Sequence, residues 1–94
     1  MRSPLLFASS LLAYCSATGA SVTSWGRTRA HNAAVGGVAK SQHLAWLAAD
    51  VVYDAPLPLS DRQTLAALLE LRLNREEIGG VRVPAGLYTL WTIP

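Results

Sequence analysis

Apolar positions cluster in stretches separated by glycine, proline and polar runs, and each stretch has its own period. From Pro4 to about Ala17 the chain is largely apolar, and Leu5, Leu6, Ser9, Leu12 and Ala13 recur at helical spacing. Pro4 is tolerated in a first turn and Gly19 supplies a stop, so the pattern predicts a helix. Ser21 to Ser24 reads as a short strand. Arg27 to Lys40 contains Gly36-Gly37 and no periodicity, and reads as a loop. Leu47 to Tyr53 reads as a strand ending in Val51-Val52-Tyr53, with Asp50 at or inside it. A carboxylate there needs a partner to be tolerated.

The segment from Asp54 to Leu59 contains Pro56 and Pro58, which exclude regular structure. Ser60 then opens a second predicted helix, with Ser60 and Gln63 in a capping-box pattern and Asp61 at the positive end of the helix dipole. Leu65, Leu68 and Leu69, with Leu73 or the stem of Arg72, line one face, while Arg62, Glu70 and Arg75 face solvent. This helix is expected to end between Asn74 and Glu77, before Gly79-Gly80. Two strands should follow, Val81 to Val83 and Leu87 to Trp91, joined by a Pro84-Ala85-Gly86 turn.

At 94 residues the chain has room for one small domain. Its 51% hydrophobic content argues for a packed core over disorder. A net charge of +2, with Lys and Arg scattered, gives no basic stripe for nucleic acid. The single cysteine, Cys15, excludes an intramolecular disulfide and reads as a small buried residue of the first helix. Residues 1–20 also have the form of a secretory signal, with Arg2, an apolar centre and small residues from Ala17 to Ala20. That apolar centre is shorter than the ~20 residues a membrane span requires. First helix and signal peptide both remain open from the sequence.

The richest chemistry lies in Ser41-Gln42-His43-Leu44-Ala45-Trp46-Leu47-Ala48-Ala49-Asp50, which sets an imidazole and a carboxylate seven positions apart. Both groups are zinc-ligand types. Together with Arg27, Asn32 and Val35-Gly36-Gly37 upstream, the stretch resembles the peptidase M15 family, zinc D-Ala-D-Ala carboxypeptidases and related phage endolysins. The family pattern is Ser-x-His-x-x-Gly-x-Ala-x-Asp, and Ser41, His43, Ala48 and Asp50 fall on it. Trp46 stands where the family has glycine, and Trp25-Gly26 replaces its usual glycine-aromatic pair.

The resemblance implies an α+β fold of Hedgehog/DD-peptidase type, a small antiparallel sheet packed with helices, with a Zn2+ site at one end. It implies His43 and Asp50 as metal ligands and Arg27 facing the carbonyl or carboxylate of a peptidoglycan stem peptide. Hydrolytic attack on a peptide carbonyl develops an oxyanion, which a fixed guanidinium stabilises. Ser41 would donate to substrate or orient the loop of His43; Arg29 lies off the motif. His31 has no metal spacing with His43, and Glu76 and Glu77 read as a solvated helix end. The family's third ligand, a late histidine, and its acidic base have no counterpart after Glu77, which suggests an M15-like domain incomplete at its C-terminal side. Two readings follow, a zinc metallopeptidase (whole, truncated or inactive) and a non-catalytic M15-like peptide- or cell-wall-binding or structural module. As a phage lysin it would stay cytoplasmic until lysis; with a cleaved signal it would be exported.

Overall fold

A computed structural model describes residues 3–26, 28, 30, 33, 42, 44–55, 57–74, 77–78, 81–82 and 86–93. The elements, in chain order, are helix α1 (Pro4–Thr18), strands β1 (Ala20–Trp25) and β2 (Ala48–Tyr53), helix α2 (Leu59–Leu68), and strands β3 (Leu71–Asn74), β4 (Glu77–Ile78), β5 (Val81–Arg82) and β6 (Leu87–Thr92). Four strands form one sheet in the order β1-β2-β6-β3, and every neighbouring pair in it is antiparallel. β4 and β5 form a separate antiparallel pair. The α+β architecture expected from the sequence is the one observed. Of the expected loop from Arg27 to Lys40, only residues 28, 30 and 33 are described, and Ala30 and Ala33 are helical.

α1 starts where expected and ends one residue later. The Ser3 hydroxyl caps it, accepting from the backbone N–H of Leu5 at 3.2 Å and of Leu6 at 3.5 Å. Gly19 closes it in the left-handed region at φ 68°, and a Cβ there would lie 2.9 Å from the Ala55 carbonyl oxygen. The buried face differs from the one the leucine spacing suggested. Phe7, Leu11, Tyr14, Cys15 and Thr18 point inward, while Leu5, Leu6 and Leu12 are exposed. A helix apolar on nearly every side offers its pattern no single face; here the aromatic side, with the larger area to bury, meets the sheet. Phe7, Leu11 and Tyr14 join Ala49 and Val51 of β2, Leu71 of β3, Leu90 of β6 and Ala66 of α2 in one core.

The second helix departs further from expectation. It begins at Leu59 with Pro58 as cap residue and no side-chain capping bond, so the Ser60–Gln63 box does not form. The Pro58 carbonyl accepts from the N–H groups of Asp61 and Arg62, each at 3.1 Å. The helix stops at Leu68; Glu70 turns the chain at φ 58°, and Leu71–Asn74 is a strand. The alternation of Leu71 and Leu73 explains the switch, because both then reach the core from a strand paired with β6. Glu77 is also in a strand, not at a helix end.

Arg62, expected in solvent, is buried, and Leu68, expected in the core, is 76% exposed. The Arg62 guanidinium carbon lies 4.4 Å from the Tyr53 ring centroid and 4.9 Å from that of Tyr88. Two ring faces thus surround a cation that burial would otherwise leave costly. Tyr53 in turn shares a 2.6 Å hydroxyl–hydroxyl hydrogen bond with Tyr14 of α1. The cluster ties α1, β2, α2 and β6 together by polar contacts inside an apolar core.

Two predictions follow from this packing. Leu11→Ala should cost about 2–5 kcal/mol and Leu12→Ala less than about 0.5 kcal/mol in urea unfolding, because only Leu11 leaves a cavity. Equal effects would mean that α1 packs by another face. Burial raises the pKa values of Cys15, Tyr14 and Tyr53 above their ordinary 9.0, 10.0 and 10.0. On raising the pH the unfolded chain therefore loses these protons first, and stability should fall once the pH passes about 9. Tyr14→Phe should flatten that alkaline decline, measured by urea melts between pH 7 and 11.

Candidate active site

Asp50 occupies the middle of β2, an inner strand of the sheet, and is only 8% exposed. Side chains alternate along a strand, so Asp50 lies on the face opposite the one on which Ala49 and Val51 meet α1. Its cross-strand neighbours are Ser24 on β1 and Thr89 on β6. Both donate to it: the Ser24 hydroxyl to Oδ2 at 2.9 Å and the Thr89 hydroxyl to Oδ1 at 2.8 Å. These charge-assisted bonds replace part of the water the carboxylate gives up on burial.

The placement of Ser24 depends on a bulge. Val22 pairs with Val51, yet it is Ser24, not Thr23, that faces Asp50, the register shifting between Val22 and Ser24. The extra residue turns the Ser24 side chain to the Asp50 face. Thr23 is used too, its hydroxyl donating to the Asp50 backbone carbonyl at 3.1 Å. One residue thereby gathers three hydroxyls from two strands, two at its carboxylate and one at its backbone carbonyl. Sequence reasoning did not single out Ser24, Thr23 or Thr89; the signal available was a carboxylate inside an apolar strand, which required hydroxyl or cationic partners somewhere.

The turn before β2 joins this end of the sheet. Gln42 accepts at its carbonyl from the N–H of Ala45 at 3.2 Å and of Leu47 at 3.0 Å. Trp46 takes the left-handed region at φ 60°, which accounts physically for glycine at this place in the family pattern. Its carbonyl accepts from the Trp25 indole N–H at 3.0 Å, and the two rings meet edge-to-face with centroids 5.3 Å apart. Of the expected site residues the structure places Asp50; Arg27, Ser41 and His43, with Arg29, His31 and Glu76, lie outside the described residues.

The donor chemistry at Asp50 fits a divalent cation such as zinc, for which carboxylate oxygen is a ligand type. The Ser24 and Thr89 bonds hold the two carboxylate oxygens in a fixed orientation, as outer-shell groups hold a ligand. Among the described residues no three His, Cys, Asp or Glu side chains gather as a metal site. Nor, among them, is any helix long and apolar enough to cross a membrane.

The fold and this buried acid define an α+β domain whose candidate chemistry is mounted on an antiparallel sheet. The family model described as Peptidase M15 matches residues 11–82, and the chain belongs to that family. A peptidase-type function comes with that membership. No curated protein and no solved structure matches the chain.

Thr89→Val keeps the side-chain shape and removes the donor to a buried carboxylate, so it should cost about 1.5–3 kcal/mol. Ser24→Ala, at a half-buried position, should cost about 1 kcal/mol. Urea melts in metal-free buffer read both; a neutral Thr89→Val would show that the bond contributes nothing to folding.

Proposed function

We propose that this chain is a zinc-dependent metallopeptidase domain of the D-Ala-D-Ala carboxypeptidase or cell-wall endopeptidase type, acting on the stem peptides of bacterial peptidoglycan. The observation that carries the reading is Asp50, the last residue of the family-like motif, buried in the sheet with a hydroxyl donor on each oxygen. Family membership over residues 11–82 supports the reaction class.

In this reading His43 and Asp50 hold the metal. Zinc bound there would supply Lewis-acid activation of water and of the scissile carbonyl. The chain's own residues do the rest. Ser24 and Thr89 keep the Asp50 carboxylate in one orientation, with its charge directed by fixed donors instead of mobile water. Arg27 offers a permanent cation to the negative charge that develops on the carbonyl oxygen. Ser41 contributes a hydroxyl to the substrate backbone or to the loop that carries His43.

A second reading has its own support. Two ligands leave a divalent ion largely hydrated, and the described residues add no third. A peptide-binding module of M15 descent, without turnover, accommodates that observation.

Calorimetric titration of the whole chain with zinc separates the possibilities. One equivalent should bind in the micromolar range or tighter. Asp50→Ala and His43→Ala should each weaken binding by more than about 100-fold, and Thr89→Val by about 10–100-fold, the range for outer-shell groups. Binding indifferent to both ligand substitutions would overturn the metal assignment. Cleavage of a stem-peptide analogue by the zinc-loaded chain is expected, releasing D-alanine or an internal fragment; peptide binding without cleavage would favour the second reading.

A further inference from the structure

Trp46 is one of two non-glycine residues at positive φ among the described residues, the other being Glu70. A non-glycine residue at φ 60° is strained, and a large aromatic more so than most. The residue is 44% exposed, so burial returns only part of that cost. Strain of this kind persists where the surroundings over-determine it and collects near functional sites.

Three contacts do the determining, all at the C-terminal end of β1. The Trp25 indole N–H holds the Trp46 carbonyl at 3.0 Å, and the Trp25 ring meets the Trp46 ring at 89°. The Trp46 indole lies against Gly26 so closely that a Cβ built on Gly26 would fall inside it, and Gly26 is itself left-handed at φ 76°. The Gly26 N–H also donates to the Ala48 carbonyl at 3.4 Å, two residues before Asp50. An indole in the turn thus fits a side-chain-free position just past the end of β1. Glycine has changed sides: the turn has a bulky residue where the family pattern has glycine, and the strand end supplies the bare backbone.

We propose that Trp46 is a positioning residue, clasped by Trp25 and Gly26, which fixes the turn before β2 against β1 and with it the entry of the motif stretch into β2 beside Asp50. The proposal rests on the metal assignment for what that stretch carries. Gly26 is then constrained by the indole opposite it, as well as by its own backbone angle.

The test is a double-mutant cycle on the whole chain, read by zinc titration at a temperature where every variant is folded, and by thermal unfolding without metal. Gly26→Ala should weaken zinc binding by about tenfold or more, the scale of a lost outer-shell support. In a Trp46→Gly background the same substitution should cost severalfold less affinity, because no indole is then displaced and only the strain of alanine at positive φ remains. Retained affinity in Gly26→Ala, or an equal loss in both backgrounds, overturns the proposal. If Gly26→Ala fails to fold, Trp25→Phe takes its place, keeping one aromatic ring while removing the indole N–H together with the second ring. A loss of zinc affinity in that folded variant supports the clasp, and unchanged affinity rejects it. Should the unmodified chain bind no zinc, the metal assignment fails and the positioning role falls with it. The metal-free unfolding cycle then judges the contact separately: non-additive midpoints uphold the clasp as a structural lock, and additive ones reject that as well.

Discussion

A carboxylate buried in the middle of a sheet constrains everything around it. Asp50 is flanked on both sides by strands, and each neighbour meets it with a hydroxyl, Ser24 from β1 and Thr89 from β6. Either strand in a register one residue away would present the opposite face of its pleat and withdraw its donor. The bulge between Val22 and Ser24 has its explanation here, since without it Thr23 would oppose Asp50 and Ser24 would turn to the other face. The order β1-β2-β6-β3 places the acid on an inner strand, where both neighbours can serve it.

The two faces of the sheet divide the labour. One is apolar: Ala49, Val51, Leu71 and Leu90 meet Phe7, Leu11 and Tyr14 of α1 and Ala66 of α2. Inside that face the Tyr14–Tyr53 hydroxyl pair and the Arg62 cation over Tyr53 and Tyr88 add direction to packing that apolar contacts alone leave nonspecific. The other face carries Asp50. A packed core on one side lets the polar side be held by a few hydrogen bonds.

The expectations that failed share a physical cause. α1 has leucines on several sides, so helical spacing could not separate Leu11, which is buried, from Leu12, which is not. In α2 the leucine run suggested a longer helix, and the strand pairing of Leu71 to Asn74 with β6 overrode that local preference. Arg62 looked like a solvent residue by type, and two tyrosines distant in sequence gave it an interior place. The candidate site shows the same limit. Asp50 was legible from its motif and its strand, whereas Ser24 and Thr89 carry no local sign of their role and are found only through strand register.

What the sequence determined by itself was the set of local facts. These include a helix ending at Gly19, strands near Ser21–Ser24 and Leu47–Tyr53, a motif stretch of peptidase M15 type, and an acid in a strand that had to find partners. Each follows from backbone preference, side-chain period or the cost of burying charge, which act over a few residues. The tertiary structure decided which side of α1 is core, where α2 yields to β3, which hydroxyls hold Asp50, and how Trp46 is accommodated against Gly26. Those outcomes depend on contacts between residues tens of positions apart, such as Asp50 with Thr89 and Tyr14 with Tyr53. Burial and register are properties of the assembled sheet, so no local window of the chain contains them.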